Sequence, residues 1–349
     1  MAVTIQQIAE QTGFSRETVR RVIKGDGHRH SEQTREAIDR AIAALGYRPN
    51  AVARGLGRGR FDAVSLLLPP GGQAHVPPGL LRGITEGVAA RKWRLQVDQV
   101  QDASLEGPGG VSRLLTELSA DGFLVDRLDE VPAPFLDPIR AAAAPALLLN
   151  TRRPSNCLYP DDFKAATDVG GLLAGRGHRR WCYVGPSDAG HYSVRDRLGG
   201  LAAAADAAGA RLVCLESDDS IIGDMQDGHG AAAVIERLGT LLRRGRDDRP
   251  TAVVCYGQPH LITVMLALAG LGLQAPRDVS LMAFGNYAVA FGGRQVTTMT
   301  IRQRAFGQRA VAKLADWIER NSLEPCEEPA EAFELELEPG STLGPCPVS

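Results

Sequence analysis

Residues 4–25 read TIQQIAEQTGFSRETVRRVIKG. Thr4 and Gln7 stand three apart ahead of Ile5, Ile8 and Ala9, the pattern of a capping box that opens a short helix. Thr12, Gly13 and Phe14 interrupt it. Ser15 is placed to cap a second helix, which Gly25 ends. Val19, Val22 and Ile23 form the apolar face of this second helix, leaving Arg16, Glu17, Arg20, Arg21 and Lys24 for its outer side. Two short helices joined by a three-residue turn with glycine make a helix-turn-helix. Its second helix is sized for a DNA major groove, with its N-terminal residues at base edges. Arg16 and Arg21 suit guanine O6 and N7, and Glu17 suits cytosine N4. Lys24, Arg29 and Arg35 suit phosphates. A solvated basic helix in a small structural bundle is the plainer alternative, but caps, turn and charge agree on the first reading.

Outward from this stretch, residues 31–47 read SEQTREAIDRAIAALGY, a third helix with Ala37, Ile38, Ala41, Ile42 and Leu45 as its buried stripe and Gly46 as its stop. Residues 50–60, NAVARGLGRGR, place Val52 and Leu56 on one helical face, while Gly55, Gly57 and Gly59 each weaken a helix by about 1 kcal/mol. Residues 1–60 carry eleven basic against six acidic side chains, so a head of +5 precedes a body of −7 in a chain of net charge −2. That asymmetry suits one end meeting a polyanion. Beyond it the texture alternates. AVSLLLPP, LQVDQV, GFLVDR and PALLLN read as strands, with LLRGITEGVAARK and GVSRLLTELSA as helices between them. WCYVGP, RLVCLES, TAVVCYG and VSLMAFG, each after a helical run, repeat the pattern past residue 160. Two βαβ arrays imply two parallel-sheet lobes, with a ligand cleft beyond the carboxyl ends of the strands.

The 4–25 stretch, followed by SEQTREAIDRAIAALGYRPNAVARGL, resembles the DNA-binding head of the lactose repressor (LacI/GalR) family, RPNAVARGL being its most specific part. Arg20 departs from the family's usual serine, which bears on operator sequence rather than on the mode of binding. The body resembles the same family's periplasmic-binding-protein-like core in GRGHRRWCYVG, SVRDRLGGL, PTAVVCYG, APRDVSLMAFG and VTTMTIRQRAFGQRAV. The fold class implied is an all-α helix-turn-helix head on an α/β two-lobed core of two parallel sheets flanked by helices. The domains expected are a head over 1–48, a hinge over 49–60 and a core over 61–349. Lobe 1 is expected at about 61–160 plus 290–321, and lobe 2 at about 161–289 plus 322–343, with crossings near 158–162, 286–292 and 320–324. The resemblance implies a dimeric transcriptional regulator, a repressor, whose heads bind a pseudo-palindromic operator and whose cleft takes a small-molecule effector. It implies a hinge that folds on DNA, with Asn50 as cap, Arg54 and Arg58 near phosphates and Leu56 as a minor-groove wedge. The DNA-binding set is thus Thr4, Ser15, Arg16, Glu17, Thr18, Arg20, Arg21, Lys24, Asn50, Arg54 and Leu56.

For the effector the resemblance implies His75, Lys164, Arg197, Tyr256, Gln258 and Asn286. Arg197 matches the family arginine that contacts effector hydroxyls or carboxylates. The usual Asn-Asp pair after TAVVCY is Gly257 and Gln258, and the usual Asp pair after VSLMAF is Gly285 and Asn286. The aromatic pair expected in the first loop is replaced by GGQAHVPPG, with His75. With the acids lost and Arg197 and Lys164 kept, two readings stand: a non-standard, anionic effector, or none.

Other classes have little support. GPSDAG approaches a nucleophile elbow, but its last glycine falls one residue too far, and no GxxxxGK[ST] loop occurs. The six cysteines form no CxxC pair and read as buried reduced thiols, and histidines beside arginines disfavour metal, so no cofactor or metal is expected. His178 reads as structural and Asp161 and Asp162 as helix caps. MAVTIQQIAEQ lacks the apolar core of a signal peptide, which points to the cytoplasm and away from a freestanding exported sugar-binding protein. No run is long enough to span a membrane.

Overall fold

The computed structural model describes residues 3–24, 26, 30–47, 60–68, 76–99, 120–126, 136, 139, 144–187, 190–217, 229–245, 247–320 and 327–347. Asn50, Arg54, Leu56, Arg58, His75, Arg29, His28 and most of the helix expected at GVSRLLTELSA lie outside the described residues. The chain divides into two compact units, Met1–Phe61 and Asp62–Ser349.

The first unit holds α1 (Ile5–Thr12), α2 (Arg16–Ile23) and α3 (Glu32–Leu45). The local chemistry of each end is visible. The Thr4 hydroxyl accepts from the Gln7 amide while the Gln7 side chain accepts from the Thr4 amide, closing the capping box. Gly13, at φ +72°, turns the chain out of α1. Ser15 and Ser31 cap α2 and α3 through the amides of Thr18 and Thr34. Ile8, Val19 and Ile38, one from each helix, are fully buried against one another.

The second unit runs β1 (Ala63–Leu68), α4 (Pro78–Ala90), β2 (Arg94–Gln99), β3 (Gly122–Asp126), β4 (Ala146–Leu149), β5 (Cys157–Pro160), α5 (Asp162–Gly175), β6 (Arg180–Pro186), α6 (Tyr192–Ala208), β7 (Arg211–Ser217), α7 (His229–Leu242), β8 (Ala252–Cys255), α8 (Gln258–Gly270), β9 (Ser280–Gly285), β10 (Ala290–Phe291), β11 (Arg294–Gln295), β12 (Thr297–Thr300), α9 (Gln303–Arg320), β13 (Glu331–Phe333) and β14 (Glu336–Glu338). Sheet one has the order β13-β5-β4-β3-β1-β2 and sheet two β14-β12-β9-β8-β6-β7, with β10 and β11 as a separate hairpin. All pairings within the two sheets are parallel except β14 on β12. Strands such as β1 and β8 are buried at every residue, as parallel strands covered on both faces must be.

The chain crosses between the sheets three times. After β5 it enters α5, which packs on sheet two, as expected. The other two crossings differ from the expectation. Residues 286–292 lead only into the β10–β11 hairpin, and β12 pairs with β9 in sheet two. The crossing instead follows β12, where Ile301 and Phe306 enter the core of sheet one. The last crossing lies between β13, on β5, and β14, on β12, not at 320–324. Residues 297–300 therefore belong to lobe 2 and 331–333 to lobe 1. The physical reason is that TTMT is a fully buried strand whose neighbour is chosen by sheet pairing, which local pattern does not reveal.

Helix α9 closes lobe 1 by lying directly on α4. A Cβ at Gly307 would sit 2.6 Å from the Leu80 carbonyl oxygen and 2.8 Å from the Ile84 amide nitrogen, both backbone atoms. Gly307→Ala is therefore expected to lose about 1–2 kcal/mol net, strain outweighing the gain in helix propensity. A urea midpoint at or above that of the wild type would contradict this packing.

Candidate functional site

In the first unit, α2 presents Arg16, Glu17, Arg20, Arg21 and Lys24 to solvent and turns Val19 inward. Arg21 Nε donates to Glu17 Oε1 at 3.0 Å, one turn back, in a pair about half exposed on both sides. Such a pair adds little stability but holds the guanidinium along the helix rather than leaving it loose. The hydroxyls of Thr4, Ser15 and Thr18 are engaged in capping contacts at the N-termini of α1 and α2. Seven of the expected DNA residues, Ser15, Arg16, Glu17, Thr18, Arg20, Arg21 and Lys24, thus share one short helix and its cap.

In the second unit each sheet changes direction beside its first strand. β2 lies on one side of β1 and β3 on the other, and β7 and β8 flank β6 in the same way. Ligands of such sheets bind outside the carboxyl ends of the strands at this switch point. On lobe 1 the switch-point strand β3 ends at Asp126. On lobe 2 β8 runs out through Tyr256 and Gly257 into Gln258, the first residue of α8.

Arg197 is engaged inside the protein. It is 7 % exposed. Its Nε donates to Asp162 Oδ1 at 2.7 Å and its Nη1 to the Tyr256 carbonyl at 2.6 Å. The guanidinium packs over the rings of Tyr256 and Phe284, 4.5 and 4.8 Å from their centres. Burial opposes its charge, but the Asp162 carboxylate beside it outweighs that and raises its pKa. Burial pushes the Asp162 carboxyl up and Arg197 pulls it down. Lys164 pairs with Asp168 at 2.9 Å and Glu334 at 3.8 Å, half exposed on α5. The charge of Arg197 is therefore matched inside the protein, whereas that of Lys164 is matched at the surface. Asp161 does cap α5, through the Lys164 amide, whereas Asp162 is an ion-pair partner.

A polar chain joins the lobes behind Arg197. His191 Nε2 lies 2.9 Å from the Asn150 carbonyl, so that nitrogen carries the proton. Nδ1 then accepts from the Ser193 hydroxyl at 2.7 Å, and the Ser193 oxygen accepts from the Tyr256 hydroxyl at 2.7 Å. Burial, against the hydrogen bond to Asn150, holds the His191 pKa down at about 4. Beside this chain, Arg152 of lobe 1 meets Asp196 of lobe 2 at 2.6 Å. His178 is likewise structural, between the Thr251 hydroxyl and the Gly344 carbonyl. The described cysteines are all free thiols.

Among the described residues, Asn286, Gln303 and Gln258 offer neutral amides near the strand ends. Asn286 Oδ1 accepts from Gln303 Nε2 at 2.8 Å. Gln258 Nε2 is buried with no hydrogen-bond partner among the described residues. Asp126 is 8 % exposed, and burial alone raises its pKa to about 7. Sequence reasoning missed Asp126 and Gln303. The signal for the first was present: a single acid ending an apolar strand, GFLVD, whose carboxyl end faces a cleft.

Residues 4–50 match the family described as bacterial regulatory proteins, lacI family, and residues 171–335 match a periplasmic binding protein-like domain. The chain is 27% identical over 343 residues to the HTH-type transcriptional regulator CelR of Thermobifida fusca, covering 92% of this chain and 94% of that one. It is 25% identical over 328 residues to the HTH-type transcriptional repressor PurR of Escherichia coli, covering 92% of each. The lac repressor dimer bound to operator and an anti-inducer shares its fold, with a TM-score of 0.75 at 20% identity over 98% of this chain and 99% of that chain.

Proposed function

We propose that this chain, whose residues 4–50 match the lacI family of bacterial regulatory proteins, is a sequence-specific transcriptional repressor acting in the cytoplasm as a homodimer. Two heads bind a pseudo-palindromic operator, with half-site spacing set by the dimer's symmetry. The observation that carries this reading is the exposed face of α2, where Arg16, Glu17, Arg20 and Arg21 follow the Ser15 cap. Thr4, Ser15, Thr18 and Lys24 position that face on the backbone, and Asn50, Arg54 and Leu56 supply the hinge contacts. A small molecule in the cleft shifts operator affinity by as much as it binds the DNA-competent and incompetent states differently. No catalytic step belongs to this function.

The test is operator selection with the purified full chain, followed by fluorescence anisotropy on the selected site. Failure to enrich any sequence would overturn the reading. Arg21→Ala is expected to weaken the selected site by about 1–3 kcal/mol and to relax preference at one base pair. An equal loss on every sequence would assign Arg21 to phosphate instead.

The cleft contacts follow from the neutral polar groups near the strand ends. Gln258, Asn286 and Gln303 face the ligand with neutral amides, Tyr256 shapes the wall, and Arg197 holds that wall in place. His75 and Lys164 remain candidates only at the cleft's margin.

A further inference from the structure

A cavity of about 590 Å³ lies on the seam between the lobes. Arg152, Arg153 and Tyr159 of lobe 1 line it from one side, and Tyr192, Arg195 and Asp196 of lobe 2 from the other. The amides Gln258, Asn286 and Gln303 are not among its lining residues. Its walls are held in place. The Tyr192 hydroxyl donates to the Pro160 carbonyl at 3.1 Å, and the Tyr159 and Tyr192 rings meet edge to face with 5.8 Å between centres. Arg152 stands 5.7 Å from the centre of the Tyr159 ring, and its Nη1 donates to Asp196 Oδ2 at 2.6 Å.

The lining carries three guanidinium groups against one carboxylate. Arg152 and Arg195 have donors to spare. Asp196 engages Nη1 of Arg152, so the Nε–Nη2 edge of that group has no acceptor among the described residues. This edge is the fork that gives two parallel N–H bonds to two oxygens of one anion. Arg195, next to Asp196 on α6, is exposed and has no ion pair or side-chain hydrogen bond among the described residues. The Tyr159 hydroxyl is a further donor without a hydrogen-bond partner among them. An exposed arginine alone is only a solvated charge. Here it shares one cavity with a positioned fork and a hydroxyl. A carboxylate, with two oxygens and one charge, is matched by the fork alone. A phosphate monoester has three terminal oxygens and close to two charges at neutral pH, enough for all three donors. The cavity also has room for more than the anion, within the range of about 300–1,000 Å³ usual for small-molecule sites.

We propose that this seam cavity binds a phosphorylated small molecule, its phosphate held by the Arg152 fork, Arg195 and the Tyr159 hydroxyl, while Asp196 keeps Arg152 in place. The site goes beyond the cleft reading and does not depend on it. Because its guanidinium groups come from both lobes, the bound phosphate ties one lobe to the other.

The test uses the full chain in phosphate-free buffer at low ionic strength, where screening is weakest. The probes are glucose 6-phosphate against glucose, glycerol 3-phosphate against glycerol, and phenyl phosphate against phenol, with inorganic phosphate alongside. By calorimetry, at least one ester is expected to bind ten-fold or more tighter than its parent alcohol and than inorganic phosphate. Arg195→Ala, a change at an exposed side chain, is expected to weaken that ester ten-fold or more while the variant melts as the wild type does. Arg152→Lys keeps a charge for Asp196 but loses the fork, and is expected to weaken it several-fold. Gln303→Leu is expected to leave it unchanged. Silence of all three esters, equal binding of each ester and its parent, or binding that survives Arg195→Ala overturns the proposal. Inorganic phosphate as tight as every ester overturns the assignment to an ester. Loss of ester binding in Gln303→Leu moves the ligand to the cleft and overturns the seam site. Ester binding by a chain that selects no operator leaves the seam site standing while the regulator reading fails.

Discussion

Asp162→Ala is expected to destabilise the second unit by about 3–5 kcal/mol, the largest effect of any single change considered. Asp162 is 1 % exposed and sits 2.7 Å from the Arg197 guanidinium, itself buried between Tyr256 and Phe284. Removing the carboxylate leaves a charge that cannot deprotonate and cannot reach water. Among the described residues, the Tyr256 carbonyl is then its remaining hydrogen-bond acceptor. Replacing both partners by apolar residues of similar volume, as in Asp162→Leu with Arg197→Met, should recover much of the loss, because the uncompensated charge goes with the pair. Urea unfolding of the single and double variants reads this directly. If Asp162→Ala loses less than about 1 kcal/mol, the pair is solvent-relaxed and Arg197 is available to ligand after all.

The stability difference between the wild type and His191→Gln is expected to be about 3 kcal/mol smaller at pH 4 than at pH 7.5. The folded-state pKa of His191 is depressed from 6.5 to about 4 by burial. Between those values the unfolded chain binds a proton that the folded chain refuses. Stability therefore falls as pH drops through this window, levels off below it, and is unaffected above it. Subtracting the variant cancels the other titrating groups. Asp126 should behave with the opposite sign. Its folded pKa is raised from 3.8 to about 7, so the folded chain holds the extra proton and stability is lost as pH rises through that range. The wild type minus Asp126→Asn difference should accordingly shrink towards neutral pH. The two effects oppose each other across nearly the same window, so the wild-type profile is flatter than either subtraction. Parallel curves for wild type and His191→Gln from pH 4 to 7.5 would mean that the imidazole is hydrated in the folded state.

Much of this molecule is written in short-range pattern. Thr4 and Ser15 cap the helices they were expected to cap, Ser31 caps the third, and Ile8, Val19 and Ile38 are buried at the positions their periodicity predicts. The eight apolar runs read as strands are all strands; the central ones are covered on both faces and need only a continuous apolar run, while β2 and β7 lie at the edges and are partly exposed. Less was legible at the short β5, β13 and β14, which are recognisable only by what they pair with. The same limit applies to β12, whose lobe was assigned to the wrong side of a crossing. At the cleft, resemblance pointed to Arg197 as a ligand contact, and the fold made it an internal counter-ion.

The amino-acid sequence alone determined the helix-turn-helix, the two parallel sheets and the charge that separates head from body, since each follows from residues within a few positions of one another. Tertiary structure decided which charges remain available. Asp162 neutralises Arg197 from 35 residues away, and Asp126 is buried beside Leu149, its register neighbour on β4. Whether a buried charge is matched depends on which distant side chain the fold brings beside it, and no local periodicity carries that.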